Sequence, residues 1–68
     1  MKTAFLFMTY TIKGKNANGN WRAIVDNFNT EDMGHTINDW VDDRIEATSK
    51  KYEVKPSDVF VTDVKCIY

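Results

Sequence analysis

The ten residues from Thr3 to Ile12 constrain the fold of this chain more than any other stretch. They include no Gly, Pro, Asp or Asn and are rich in aromatic and β-branched side chains, which favours a buried β-strand. Alternating positions form two partly apolar faces, Ala4, Leu6, Met8, Tyr10 and Ile12 on one and Thr3, Phe5, Phe7, Thr9 and Thr11 on the other. A strand with one solvated face would alternate cleanly between apolar and polar residues. The pattern therefore predicts a central strand that is covered, at least partly, on both sides.

Length and composition limit the chain to one small domain. Its 68 residues are 43% hydrophobic and 28% charged, which is typical of a globular domain and argues against disorder. We therefore expect a single domain over residues 1–68. One cysteine, Cys66, and one histidine are too few for an internal disulfide or a zinc site, and no cofactor is expected. Stability must then come from good packing or from a second copy.

Charge and hydropathy argue against membrane insertion and against a general attraction to nucleic acid. The net charge is −1, which creates no overall field for either partner. Met1-Lys2 resembles the start of a signal peptide, but the apolar run after it is short, is interrupted by threonines and lacks a small-residue cleavage site. No stretch approaches the roughly 20 apolar residues that span a bilayer. We expect a soluble protein of the cytoplasm.

A hairpin is predicted directly after the first strand. Residues 13–20 are polar, with two glycines and three asparagines, and favour a hairpin loop. The returning strand is expected over residues 21–28. Ile24 and Phe28 are its predicted core positions, and Arg22 and Asp26 are available at the rim.

One helix is predicted in the middle of the chain. Asn29 or Thr30 can cap its start, and the two acidic residues that follow complement the helix dipole. The helix should run to about Lys51, although Gly34 could fray its first turn or move its start to near His35-Thr36.

An apolar stripe at helical spacing predicts the face of the helix that meets the sheet, and its members are Met33, Ile37, Trp40, Val41, Ile45, Thr48 and Tyr52. Arg44 interrupts this stripe. Its guanidinium either extends over an aromatic ring at the rim or forms a buried ion pair with Asp26 or Asp63.

The last strand is expected over residues 59–68, where β-branched side chains recur. Periodicity does not decide which of its faces meets the helix, but a bulge near Asp63 would bring both apolar halves to one side. The predicted order of strand, strand, helix and strand gives an α+β fold. It is a ββαβ arrangement with a three-stranded antiparallel sheet of order 2-1-3 and the helix on one face.

Signatures of catalysis are missing from the sequence. It contains no glycine-rich phosphate loop, no paired nucleophile and base, and no ligand cluster with diagnostic metal spacing. His35 has no evident nucleophile, since Cys66 is predicted in a distant strand. We therefore expect a protein that is not an enzyme.

An acidic surface is predicted on the side of the helix opposite the apolar stripe, formed by His35, Asp39, Asp42, Asp43 and Glu46. Three interpretations remain open. The surface is a solvated outer face, or it docks a basic groove as a mimic of phosphates, or its carboxylates bind Mg²⁺ or Ca²⁺.

A second candidate surface is the sheet face that the helix does not cover. Phe5 and Phe7 are expected there, joined by Trp21, Ala23 and Val25 and by the valines Val59 and Val61. An apolar patch of this kind normally marks an interface, so we expect a second copy or a partner protein to cover it. The alternative is that long neighbouring side chains and the hairpin loop shelter it.

Nucleic-acid binding is the main alternative function for the same face. Aromatic side chains on an open sheet can stack single-stranded bases, and Lys13, Lys15 and Arg22 are expected near one end. The acidic helix and the negative net charge argue against it.

The chain resembles a class of very short proteins encoded by bacteriophages and prophages. The shared elements are a Met1-Lys2 start, an aromatic strand with Thr9-Tyr10, a polar loop closing in Gly19-Asn20, an amphipathic helix and a valine-rich last strand. The resemblance implies an accessory protein without enzymatic activity that binds and blocks a host factor, as anti-CRISPR and other anti-defence proteins do. It assigns no role to individual residues, and a structural protein without a discrete partner remains the third possibility.

Overall fold

Within residues 3–67, the fold consists of three strands, one α-helix and two short 3₁₀ turns. The structure, a computed structural model, describes residues 3–67. The elements are β1 (Thr3–Ile12), β2 (Ala17–Asp26), α1 (Met33–Tyr52) and β3 (Val59–Ile67), with short 3₁₀ turns at Thr30–Asp32 and Pro56–Asp58. Tyr68, predicted at the end of the last strand, lies outside the described residues.

The sheet has the strand order β2-β1-β3, and both pairings of β1 are antiparallel. This confirms the predicted α+β fold, with its ββαβ arrangement and β1 at the centre. The prediction that β1 is covered, at least partly, on both sides is confirmed for the helix side, whereas the other face is covered only in part by residues 3–67. Ala4, Leu6 and Met8 are fully or almost fully buried, whereas Phe5 on the other face is 53% exposed.

The hairpin is tighter than its polar sequence predicts. Only residues 13–16 form the turn, and Ile12 pairs directly with Ala17. Gly14 has a φ of 76°, in the left-handed region that suits glycine. The strand β2 also ends earlier than predicted, since Asn27 adopts a φ of 56°. This turn of the backbone lets Phe28 pack against the core.

The predicted bulge in the last strand is confirmed. Thr9 pairs with Asp63 and Tyr10 pairs with Val61, so Thr62 is an extra residue in β3. Because of it, Val61 and Val64 both lie on the helix side of the sheet, opposite Tyr10 and Met8.

The helix ends within one residue of the predicted Lys51, but α1 begins later than predicted, at Met33, because residues 30–32 form a separate 3₁₀ turn. The side chain of Asn29 accepts a hydrogen bond from the Glu31 amide at 3.0 Å, and a 3₁₀ turn precedes α1. Lys50 and Lys51 lie in the last turn, and Glu53 ends the helix in the left-handed conformation. The apolar stripe packs against the sheet in two groups of buried residues, Met8, Tyr10, Ile12 and Val59 in one and Ala4, Leu6 and Met33 in the other.

Candidate protein-binding surface

The helix-free face of the sheet, called here the open face, carries large exposed apolar side chains. Phe5 on the central strand pairs with Ile24 on one side and Ile67 on the other. These three side chains form one row across the sheet and are 53%, 64% and 64% exposed. The row is available to a partner, so shelter by neighbouring side chains does not apply to it.

A second row lies beside the first. Phe7 is half-buried between Arg22 of β2 and Lys65 of β3, its direct cross-strand partners. The two rows line a shallow depression of about 550 Å³. This volume falls within the roughly 300–1,000 Å³ of ligand-binding clefts, although the depression is open rather than enclosed.

Charge on the open face is balanced and peripheral. Lys65 forms an ion pair with Asp63 at 3.7 Å, and Asp26 accepts a hydrogen bond from the Thr3 hydroxyl at 3.1 Å. Arg22 makes no ion pair within residues 3–67. The face therefore combines an apolar centre with a polar rim.

The placement predicted for Trp21 and Val25 on the open face was wrong. Trp21 pairs with Met8, and Val25 pairs with Ala4, so both lie on the helix side. The same correction applies to Ala23, Val59 and Val61, which pack in the core. The turn length decides this, because a turn of four residues puts the odd-numbered residues of β2 beside the even-numbered residues of β1.

Ile24 and Ile67 were missed as surface residues. Ile24 was predicted in the core, but the same register places it opposite Phe5 and leaves it exposed. The length of the hairpin turn would have identified it. For Ile67, the signal is the bulge at Thr62, which moves the end of β3 to the opposite face.

Trp21 instead joins the sheet to the helix. Its indole N–H donates to the Thr48 hydroxyl at 2.8 Å, and Thr48 donates to the Arg44 carbonyl oxygen at 2.6 Å. The guanidinium of Arg44 lies 4.8 Å from the centre of the Trp21 ring and also contacts the Asp43 carboxylate. Of the two predicted positions for Arg44, the one over an aromatic ring is confirmed.

The acidic helix face is exposed, and part of it is paired within α1. His35 lies 3.3 Å from Asp39, and Lys50 lies 3.3 Å from Glu46, in both cases one helical turn away. Asp43 contacts Arg44, while Asp42 is exposed. Exposed pairs of this kind contribute little to stability, at most about 1 kcal/mol each. In the part of the chain that is described, no three His, Cys, Asp or Glu side chains converge as metal ligands.

Comparison with family models, curated proteins and solved structures found no match to this chain. Within the described residues, no helix combines the length and apolar character needed to cross a lipid bilayer.

Proposed function

We propose that this protein acts without catalysis, by docking a partner protein on its open face. The observation that carries the proposal is the exposed row of Ile24, Phe5 and Ile67, with Phe7 beside it. Exposing large apolar side chains in one contiguous patch is unfavourable for an isolated protein and is common where a partner binds.

The arrangement of the face favours a protein over a small molecule. Protein interfaces combine aromatic anchors at the centre with a polar rim, and arginine is enriched among the contacts that dominate affinity. Phe5 and Phe7 supply the centre, and Arg22 and Lys65 supply the rim. An open depression leaves room for a broad contact.

The acidic helix face is the less favoured docking surface. Two of its carboxylates, Asp43 and Glu46, already contact a cationic side chain of α1, which lowers the negative charge available to a basic partner. Resemblance to short phage proteins further suggests that the partner is a host factor in the cytoplasm and that docking blocks it.

Affinity capture with matched variants tests the proposal. Wild type is compared with the double variant Phe5→Thr/Phe7→Thr, which keeps the β-propensity of β1 and removes both aromatic anchors. We expect a partner that wild type retains from host lysate to be lost from the variant, and the same loss on titration with that partner purified.

Two controls separate the surfaces. Phe60→Thr removes a phenylalanine that is 49% exposed on the same face but faces Thr11, away from both rows, and should retain the partner. A charge reversal of Asp39, Asp42 and Asp43 should retain it as well. If only the charge-reversal variant loses the partner, the binding site lies on the helix. If wild type captures no specific partner, a structural protein is favoured.

Single-stranded nucleic acid is the second candidate ligand, because Phe7 lies between two basic side chains in one cross-strand row. Stacking on Phe7 with phosphates near Arg22 and Lys65 would give affinity that falls with salt. Titration of a labelled single strand into wild type and Arg22→Gln/Lys65→Gln is the test. Binding that weakens in the variant and at high salt would support this candidate. If wild type binds no single strand at either low or high salt, the candidate is excluded.

A further inference from the structure

The two edges of the sheet differ. The edge strand β2 runs for ten residues in unbroken register with β1. The other edge strand, β3, is interrupted by the bulge at Thr62 and carries the Asp63–Lys65 ion pair just beyond it. Bulges and charged side chains are common devices that keep an edge from pairing, whereas a long regular edge is a template for another strand.

The hydrogen bonds between the strands determine which backbone N–H and C=O groups of β2 point away from β1. The Lys13 amide donates to the Asp58 carbonyl oxygen at 2.8 Å, so the odd-numbered residues of β1 bond toward β3 and the even-numbered ones toward β2. The odd-numbered residues of β2 therefore bond inward to β1. The even-numbered ones, including Arg22, Ile24 and Asp26, direct their N–H and C=O groups to the open edge.

These three residues are self-complementary about Ile24. In an antiparallel pairing of two β2 strands with Ile24 on the two-fold axis, Arg22 lies opposite Asp26 of the second copy, once on each side of the axis. On the helix side, Ala23 lies opposite Val25 of the second copy. Arg22 lacks an ion-pair partner within the described residues, and Asp26 has only the Thr3 hydroxyl.

We propose that two copies of this chain associate through antiparallel pairing of their β2 edges, centred on Ile24, to form one continuous six-stranded sheet. The inference rests on the opposite charges of Arg22 and Asp26 and on the backbone N–H and C=O groups of Arg22, Ile24 and Asp26 that point to the open edge. The row of Ile67, Phe5 and Ile24 then continues into the same row of the second copy, which doubles the length of the apolar row on the open face. Association itself does not depend on the proposed docking function.

The contact is small. About five residues per copy take part, against about 20–30 a side in a standard stable interface. The dimer should therefore be in rapid equilibrium with the monomer and should be visible by sedimentation equilibrium as protein concentration rises.

Charge reversal tests the pairing through its symmetry. Arg22→Asp places like charges opposite each other twice per dimer, as does Asp26→Arg, and each should weaken self-association at least about tenfold. A mixture of the two single variants restores opposite charges at both positions in a mixed dimer. We expect that mixture to associate about as tightly as wild type, although neither variant does so alone.

A disulfide test locates the axis. Opposed residues of a hydrogen-bonded antiparallel pair have Cα atoms about 5.5 Å apart, within the range a disulfide bridges. In a Cys66→Ser background, Ile24→Cys should form a covalent dimer on mild oxidation. Ile67→Cys, equally exposed and in the same row but on β3, is the matched control and should remain monomeric.

Several results would overturn the proposal. These are a strict monomer up to the solubility limit, single charge variants that associate as wild type does, or equal oxidation of both cysteine variants. The variant Phe5→Thr/Phe7→Thr separates this proposal from the docking function, since it should lose a bound partner yet retain the dimer. If it loses the dimer instead, the copies meet through the open face and the edge pairing is wrong.

Discussion

At the scale of single residues, Gly19 is conspicuous because the Tyr10 side chain occupies the space where a Cβ atom of residue 19 would lie. Gly19 pairs with Tyr10 across the hairpin, and the Tyr10 ring lies over it on the helix side. A Cβ atom on Gly19 would lie 2.7 Å from the Tyr10 Cζ atom, well inside van der Waals contact. The missing side chain is thus part of how a large buried tyrosine is accommodated.

We therefore predict that Gly19→Ala destabilises the fold by about 1–3 kcal/mol, since the buried Tyr10 ring must move. Urea unfolding measures the change. Gly34→Ala is the control, because Gly34 lies in α1 with open space around its Cα, and it should stabilise the protein by up to about 1 kcal/mol. Equal effects of the two substitutions would contradict the role given to Tyr10.

Tyr10 also predicts how stability depends on pH. Burial, together with the hydroxyl of Tyr52 at 3.4 Å, raises the pKa of Tyr10 from 10.0 to about 12. The unfolded chain then loses this proton first as pH rises. The stabilisation is complete below about pH 10 and is lost between about pH 10 and 12, by up to about 3 kcal/mol.

Urea unfolding across this pH range is the measurement, with Tyr10→Phe as the comparison. The variant lacks the ionisable group, so its stability should fall less steeply between pH 10 and 12. Parallel curves for the two proteins would show that other groups govern the alkaline transition.

At the scale of elements, the bulge in β3 allows an unusual deletion. Thr62 is the unpaired residue between Val61, which faces Tyr10, and Asp63, which faces Thr9. Removing Thr62 should leave every other pair and every side-chain face unchanged. The main loss is its hydrogen bond with Thr9 at 2.7 Å, worth about 1 kcal/mol at an exposed site.

Circular dichroism and urea unfolding measure the outcome of the Thr62 deletion. Deleting Arg22 from the unbulged strand β2 is the control, because it transfers the following residues to the opposite face and should abolish folding. If the two deletions behave alike, the bulge is not where the register places it.

Elements that depend on local pattern were predictable from sequence, and the register between them was only partly so. Side-chain type located α1, the Asn29 cap of the 3₁₀ turn before it and the central strand, and the two apolar halves of β3 indicated the bulge. Trp21 and Ile24 were assigned to the wrong faces, because alternation separates two faces without saying which one meets the helix. The length of the hairpin turn, four residues, decided the register, and the polar sequence of residues 13–20 does not show where the turn ends and β2 begins. Of the candidate surface, Phe5 and Phe7 were therefore predicted, whereas Ile24 and Ile67 required the structure.

At the scale of the whole molecule, the fold is elongated. Its principal extents are 42 × 15 × 15 Å, and its radius of gyration is 12.8 Å, against about 11 Å for a compact domain of this length. The core consists of two groups of buried residues, and seven hydrophobic residues are buried in the part of the chain described. So small a core makes a domain of this size marginally stable.

Pairing through β2 would add stability that increases with the logarithm of protein concentration. We predict that the midpoint of thermal unfolding rises with protein concentration for wild type, because only folded chains associate into the dimer. For Arg22→Asp the midpoint should stay nearly constant, since its dimer is weakened. Calorimetry over a wide concentration range measures both, and a wild-type midpoint independent of concentration would contradict edge pairing.

The inequality of the two sheet edges sets a limit to growth. A subunit with two straight edges can add neighbours without end, as fibres do, whereas a subunit with one straight edge stops once that edge is occupied. Thr62, a single surplus residue, would then act as a terminator for the assembly. The regular edge of β2 can therefore stay exposed without leading to fibres, because the bulged edge of β3 cannot pair with a further copy.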